Sequence, residues 1–347
     1  MDRLTPQPQG RNVIALTEKP MRLLDTTVEK IDSPQLVHFQ TDSAYRRTDA
    51  VSQSELKEIL KSPAHHQLRY GPNAQPSWPS ANMITGTAIH HKTLEPGTFQ
   101  RNFVCKSDVP PEPIIADLKK IANDSNIDIK GLTKKSDIMS AIYPDGLPKE
   151  TRTTISDADW LVVNGCADAL RVHDHTGPWF DPSLPSYRKF NEVSLYDRDQ
   201  MGMARKCRID RLHIDIDEGV IKIIDIKSTD DARPHSFARK CAELGYHLQA
   251  WWYSDMVRRV MNHGALQNMS IEFYFAVVER KSPHAINVFK ASDELLSAGA
   301  VLADRGLHAL AQCRELEWWP GYEPVIHSLK LPSWYGISDD PLDDVAF

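Results

Sequence analysis

The chain has 347 residues, of which 41% are hydrophobic and 25% charged, a composition typical of globular proteins and not of disordered or fibrous ones. At about 150 residues per domain, this length predicts roughly two domains. The net charge of −6 excludes nucleic-acid binding through bulk positive charge, although it allows a local basic channel. Five cysteines, none spaced as C-x-x-C, argue against a disulfide framework or a thiolate metal site and favour free thiols in a reducing cytoplasm.

The N-terminal part carries several prolines and little periodicity, so we expect a flexible or loosely docked arm over residues 1–45. No apolar stretch is long enough for a secretory signal or a membrane span, which predicts a cytoplasmic location without membrane contact. We expect ordered structure from about Val51, with helices over SELKEILKS, AHHQLRYG and TGTAIHHKTLEP.

Two proline-rich breaks enclose a separate unit at residues 112–148, in which two short amphipathic patterns flank the extended segment NIDIKGLTK. This unit resembles the helix-extended-helix modules of the SAP type, a small DNA-binding fold. The resemblance would place Lys130, Lys134 and Lys135 at DNA phosphates. A helical hairpin insertion with a solvated lysine face explains the same pattern equally well.

The pattern changes after residue 190. The segments FNEVSLYD, RKCRIDRLHIDID, VIKIIDIKS and IEFYFAVVE are rich in β-branched and aromatic residues and predict four strands. Asp217-Glu218-Gly219 predicts a hairpin turn between the second and third strands. One helix is expected over residues 237–261 and a last one over residues 293–313. This order of elements predicts an α/β fold with a mixed sheet.

Asp225 and Lys227 lie two residues apart in the third predicted strand, so their side chains should emerge on the same face. The spacing alone is weak evidence, because five acid-x-Lys triplets occur: Glu55-x-Lys57, Asp117-x-Lys119, Asp128-x-Lys130, Asp225-x-Lys227 and Glu279-x-Lys281. Asp225 differs from the other acids because it lies late in an apolar strand, where a charge is costly unless it binds a metal or a partner. A turn centred on Glu218–Gly219 is expected to place Asp210 beside Asp225.

Carboxylate oxygens are the ligands that Mg²⁺ prefers, and such an ion offsets the charge of a phosphodiester. Glu192 could supply a third carboxylate from the first strand. Gln249 and Tyr253 share a helix face and could orient Lys227 or contact a DNA phosphate. The plainer alternatives are a surface salt bridge on the hairpin and an ordinary amphipathic helix. His90 is either a core or capping histidine or a ligand, and its distance from the carboxylates decides which.

The pattern D-x14-D-I-K, with a preceding Glu and a following Gln-x-x-x-Tyr, resembles the PD-(D/E)XK nuclease superfamily and more closely the RecE-type exonuclease VIII family. SELKEILKSPAHH, GTAIHHKTLEP, IIDIKSTDDARPHSF and GYHLQAWWY carry the likeness over most of residues 50–336. The resemblance implies one exonuclease domain over residues 46–336, with a mixed central sheet flanked by helices and the small helical insertion at 112–148.

The resemblance also implies a Mg²⁺-dependent exonuclease, with Mn²⁺ able to substitute. Such an enzyme degrades one strand of linear double-stranded DNA from the 5′ end and leaves a 3′ overhang for a single-strand annealing protein in recombination. The implied metal ligands are His90, Glu192, Asp210, Asp225 and the backbone carbonyl of Ile226. Lys227 would be the catalytic lysine, with Asp210, Asp225, Glu192, Gln249 and Tyr253 completing the catalytic set.

Family members with this activity form rings around DNA, which implies a homo-oligomer, a trimer or tetramer, in a bacterium or a phage-infected cell. A ring would reconcile the acidic net charge with a DNA substrate if basic side chains line its channel. The candidates are Arg205, Lys206, Arg208, Arg211, Arg239 and Lys240, and solvated strand and helix faces are the alternative.

The last residues, 337–347, combine four acids with a final Phe347 and form a candidate docking tail for the annealing protein, or else a solvated disordered end. The sequence is also compatible with two other functions. One is a RecB-like or restriction-type nuclease of the same superfamily with another polarity or substrate. The other is a non-catalytic DNA-binding module.

Overall fold

A computed structural model describes residues 27–74, 79–181, 183–185 and 188–329. The strands are β1 (Gln35–Val37), β2 (Val51–Ser52), β3 (Phe103–Cys105), β4 (Thr153–Ile155), β5 (Lys189–Arg198), β6 (Ala204–Asp215), β7 (Val220–Thr229), β8 (Ser270–Glu279) and β9 (Ile286–Lys290). The helices are α1 (Asp42–Arg47), α2 (Gln53–Lys61), α3 (Pro63–Tyr70), α4 (Ala81–Leu94), α5 (Phe99–Asn102), α6 (Ile115–Asp124), α7 (Lys135–Ile142), α8 (Asp157–Val172), α9 (Thr176–Phe180), α10 (Pro234–Glu243), α11 (Tyr246–Val260) and α12 (Asp293–Leu316).

Seven strands form the central sheet in the order β1-β5-β6-β7-β8-β9, with β2 pairing to β6. The β7–β8 and β2–β6 pairs are parallel, and the others are antiparallel. The predicted mixed sheet is therefore confirmed. Each of the four predicted strands agrees with an observed strand to within two residues at either end.

Helices cover both faces of this sheet. Ile221 and Ile223 of β7 belong to a buried cluster with residues of α2, α11 and α12. Ile224 and Ile226, further along the same strand, pack in a second cluster with residues of α4 and α8. This alternation follows from the two-residue repeat of a strand buried on both faces. All five cysteines are buried and free, so two packed layers, and no disulfide, hold the sheet in place.

The hairpin between β6 and β7 sets the position of two predicted carboxylates. Its strands pair from Asp215 with Val220 to Arg211 with Ile224, and residues 216–219 form the turn. The turn is centred one residue earlier than predicted, between Asp217 and Glu218, so the predicted centre is wrong. The observed register nevertheless places Asp210 next to Asp225, as predicted.

Two further expectations differ from the structure. The sheet begins before Val51, because β1 pairs with β5, so the arm expected over residues 1–45 extends too far. Residues 1–26 of that arm, and the tail at 337–347, lie outside the described residues. The single helix expected over 237–261 is two helices, α10 and α11, because Gly245 has φ 62° and this left-handed conformation interrupts a helix.

The insertion begins and ends at a small parallel pair, β3 with β4, which brings the two chain segments around it together. Helices α6 and α7 pack on each other through the fully buried Leu118 and Ile138. Both helices lie where the sequence predicts them. No helix in the described part of the chain combines the length and apolar character needed to cross a bilayer.

We predict that Gly299→Ala lowers the free energy of unfolding. A Cβ atom at Gly299 of α12 would overlap the carbonyl oxygen of His247 in α11, so the two helices would have to separate. Overpacking of this kind costs about 1–3 kcal/mol, more than the gain of at most about 1 kcal/mol in helix propensity. Urea denaturation measures the difference. Gly97→Ala is the control, because no heavy atom lies within 4 Å of its added Cβ; equal stability of both variants would contradict the prediction.

Candidate active site

Three acidic residues form a row across three neighbouring strands. In β5 and β6, Asn191 pairs with Arg211 and Val193 with Ile209, which leaves Glu192 opposite Asp210. The β6–β7 register continues the row from Asp210 to Asp225. Because directly opposed residues of antiparallel strands lie side by side, the sheet itself brings these carboxylates together.

The regular pleat is interrupted at this row. Glu192 has φ 47°, a left-handed conformation that non-glycine residues rarely adopt and that costs about 1–3 kcal/mol. On β6, Ile209 and Leu212 both face the same buried cluster, although regular alternation would place them on opposite faces. Such a local distortion redirects side chains. Pairing between β6 and β7 also stops just before Asp210 and Asp225, so these two acids lie where the two strands separate.

His90 approaches the row from α4. Its Nδ1 atom lies 3.1 Å from Oδ2 of Asp210, which also accepts a 2.9 Å hydrogen bond from the backbone N–H of Ile226. One ligand atom from each of His90, Glu192 and Asp210 can be chosen so that all lie within 4.8 Å of one another. The structure therefore places His90 at the site, not in the core away from it. The predicted ligand role of the Ile226 carbonyl stays a prediction.

Lys227 is held by two neighbours. Its Nζ atom lies 2.6 Å from Oδ2 of Asp225 and donates a 3.1 Å hydrogen bond to Oε1 of Gln249. The amide nitrogen of Gln249 donates to Oδ1 of Asp225 at 2.6 Å, which closes a three-residue ring of contacts. The ammonium also lies 4.6 Å from the ring centroid of Tyr246. Lys227 is thus fixed in position beside the carboxylates.

Burial and close charges shift the pKa of each group. Burial raises the pKa of Asp225. Burial alone would lower the pKa of Lys227, but Asp225 and Asp210 raise it above its usual value. Burial and the charge of Asp210 raise the pKa of Glu192 to about 7. Burial would lower the pKa of His90, yet the neighbouring carboxylates raise it to about 9.

The pKa of Asp210 is lowered, because its contacts with His90 and its attraction to Lys227 outweigh burial. Two closely spaced carboxylates and an imidazole make a mixed oxygen and nitrogen donor set with excess negative charge once His90 is neutral. This donor set fits a divalent metal ion, which also offsets the repulsion between the carboxylates.

Arg205 does not have the role predicted for it. Its side chain is 2% exposed and pairs with Asp197, and also with Asp255 at 2.9 Å. The guanidinium packs over the ring of Trp252 at 5.0 Å. Since this side chain is buried and its charge is matched, the prediction that Arg205 contacts DNA is wrong.

Two other channel candidates are also buried. Lys206 donates to the carbonyl oxygens that end α1, those of Tyr45, Arg46 and Thr48. Arg211 donates to the side chain of Asn191 and to the carbonyl of Trp179. Both cations hold backbone segments together and do not line a channel.

The remaining candidates keep accessible surface. Arg208 lies at the site, where its Nε atom donates to Oε2 of Glu192 at 2.8 Å. Arg239 and Lys134 are exposed, and Lys135 pairs with Glu112 at 3.1 Å. Their contacts with DNA stay predictions, as does the channel position of Lys240, whose ammonium donates to Thr229 at 2.6 Å.

Tyr253 lies one turn beyond Gln249 on α11 and is 7% exposed within the core cluster. Among the described residues, no hydrogen bond links it to the carboxylates, so its accessory role stays a prediction. Tyr246 and Lys57 lie at the site without having been predicted. Tyr246 could have been found, because it lies three residues before Gln249 and so shares its helix face.

The row of carboxylates lies on adjacent strands, and its last member is the Asp of Asp-Ile-Lys. Together with the mixed sheet covered by helices, this arrangement defines a PD-(D/E)XK-type nuclease domain. Residues 52–330 match the family described as a PDDEXK-like domain of unknown function (DUF3799), and the chain belongs to this family. The chain is similar to a crystal structure of a "Putative exonuclease" from Eubacterium rectale, at 12% identity and a TM-score of 0.48, over 82% of this chain and 90% of that one. No curated protein matches it.

We predict that metal affinity rises with pH between about pH 6 and about pH 8. With a pKa of about 7 for Glu192 and about 9 for His90, both groups carry protons at the lower pH, and each must lose its proton before it can bind a metal ion. The apparent affinity for Mn²⁺ should increase nearly a hundredfold per pH unit near pH 6, where both protons are released, and about tenfold per pH unit near pH 8, where only His90 still carries its proton. Calorimetry in buffers of different ionisation enthalpy measures the affinity and the protons released. Constant affinity across this range would contradict the assigned ligands, and Glu192→Gln should flatten the dependence.

We predict that Arg205→Met lowers the free energy of unfolding by about 3–5 kcal/mol, because it leaves the buried Asp197 without its main partner. Urea denaturation measures this loss. Arg46→Met is the control: it removes a cation whose side chain is 76% exposed and should cost less than about 1 kcal/mol. A variant at Arg205 with native stability but weaker DNA binding would restore the original prediction.

Proposed function

We propose that this protein is a Mg²⁺-dependent exonuclease that degrades one strand of linear double-stranded DNA from the 5′ end and leaves 3′ overhangs, with Mn²⁺ able to replace Mg²⁺. The observation that carries the proposal is the contact ring of Asp225, Lys227 and Gln249 beside the group of His90, Glu192 and Asp210. The 5′ polarity rests on the resemblance of the sequence to RecE-type exonucleases.

The residues of the site have separate roles at the phosphodiester. His90, Glu192 and Asp210, with Asp225 beside them, would hold the divalent cation, which when bound supplies Lewis-acid stabilisation of the charge on the phosphate. The raised pKa keeps Lys227 an ammonium at neutral pH, so it donates hydrogen bonds and positive charge to the reacting phosphate and does not accept a proton. Gln249 fixes the direction of that ammonium.

We also propose that the protein acts as a homo-oligomeric ring, a trimer or tetramer, which hands its product to a single-strand annealing protein. A ring concentrates accessible cations such as Arg239 around the DNA while the net charge of the chain stays at −6. The burial of Arg205, Lys206 and Arg211 reduces the set of cations that could line its channel.

The test is digestion of linear duplex DNA labelled at one 5′ end, with Mg²⁺ or with EDTA, beside the same DNA as a closed circle. We expect early release of labelled mononucleotide from the linear duplex alone, and only with Mg²⁺. Lys227→Ala should abolish this release, whereas Lys222→Ala should not. Lys222 is the matched control because it lies on the same strand but pairs with Asp215 and Glu218 at the far end of the hairpin.

Other outcomes identify the alternatives. Label that stays on progressively shortened fragments would mean the opposite polarity, as in a RecB-like enzyme. Opening of the circle would indicate a restriction-type endonuclease. Binding without cleavage in every lane would leave a DNA-binding module and contradict the catalytic role of Lys227.

A further inference from the structure

A second lysine, Lys57, reaches the active site from α2. This helix is firmly anchored, because Leu56 is fully buried in the main core and Ile59 is nearly so. The stem of Lys57 runs over Gly245, where an added Cβ atom would lie 3.2 Å from Cε of the lysine. The absence of a side chain at Gly245 therefore leaves the space that this stem occupies, and the direction of Lys57 is set by packing.

The ammonium of Lys57 contacts the same aromatic ring as the ammonium of Lys227. The Nζ atom of Lys57 lies 5.6 Å from the ring centroid of Tyr246, and that of Lys227 lies 4.6 Å from it. Tyr246 thus contacts both cations, and one of them, Lys227, pairs with Asp225 at the end of the carboxylate row. Asp225 raises the pKa of both lysines, but on Lys57 this effect is smaller than the lowering by the charge of Lys227.

The two lysines differ in their partners. Lys227 contacts Asp225 and Gln249. Lys57, in contrast, makes no hydrogen bond or ion pair with any part of the chain that the structure describes. Burial and then the charge of Lys227 lower the pKa of Lys57 to about 8. A lysine that is half-buried, directed by packing and lacking an acceptor is suited to an anion from outside the chain.

We propose that Lys57 binds a phosphate of the DNA strand being cleaved, next to the phosphate that faces Lys227. This inference rests on the proposed function, because a nucleic-acid strand presents a second phosphate at a fixed spacing from the first. A Lys ammonium, a compact point charge with three donors, matches the non-bridging oxygens of a phosphate. Contact with a flanking phosphate contributes equally before and during the reaction, so Lys57 is a substrate-binding residue.

The experiment compares three variants of the full chain for binding to labelled duplex DNA over a series of KCl concentrations, with Ca²⁺ in place of Mg²⁺. Lys57→Met removes the charge and keeps an unbranched stem over Gly245, and Lys57→Arg keeps the charge. Lys61→Met is the matched control, since Lys61 lies one turn further along α2 and is exposed. Thermal unfolding of each variant checks that it is folded.

We expect Lys57→Met to weaken binding about tenfold and to reduce the slope of log affinity against log salt by about 1. In Mg²⁺ the same variant should raise KM and leave kcat nearly unchanged. Lys57→Arg should stay close to the wild type in all three measurements, and so should Lys61→Met.

An unchanged salt slope in Lys57→Met, or an equal loss in Lys61→Met, would overturn the assignment of Lys57. A loss of stability in Lys57→Met with an unchanged slope would show that the lysine only packs against Tyr246. The proposed function has a separate outcome, because a wild-type protein that neither binds nor cleaves DNA would remove both proposals. Cleavage by the wild type with an unchanged slope in Lys57→Met would remove this one alone.

Discussion

The active site depends on the register of three antiparallel strands. Glu192, Asp210 and Asp225 belong to β5, β6 and β7 and come together because these strands pair at the residues directly beside them. A shift of one residue in either pair would move a carboxylate to the opposite face of the sheet. The helical layers on both faces bury the flanking isoleucines and so fix that register. Core packing and active-site geometry are therefore one constraint here.

The same sheet supplies the distortion that the site needs. In a regular ladder, the backbone groups of Asp210 and Asp225 would hydrogen-bond across the two strands, and little room for side chains would remain between the strands. Instead β6 and β7 separate there, and the backbone N–H of Ile226 donates to the carboxylate of Asp210. The unusual φ of Glu192 occurs at the neighbouring position of β5. Conformational cost is thus concentrated where side chains must leave the regular pleat.

The sequence predicts the local features of this site and not the tertiary ones. Strand bounds and the Asp225–Lys227 pair follow from a two-residue repeat, which a single segment reveals. The burial of Arg205 could not be predicted, because Asp197 and Asp255 approach it from β5 and α11. Lys57 belongs to one of five similar acid-x-Lys triplets, and its importance comes from Gly245 and Tyr246, which lie far away in the sequence.

Each carboxylate of the row already has a cationic partner from the chain. His90 lies 3.1 Å from Asp210, Arg208 donates to Glu192 at 2.8 Å, and Lys227 lies 2.6 Å from Asp225. A divalent cation held by His90, Glu192 and Asp210 competes with the first two of these contacts, since His90 must release its proton and Arg208 must share Glu192. It leaves the third intact, because Gln249 and Tyr246 hold Lys227 from the other side. Under the proposed function, Arg208 would then have charge to offer the DNA backbone, and metal loading and substrate binding would be coupled through Glu192.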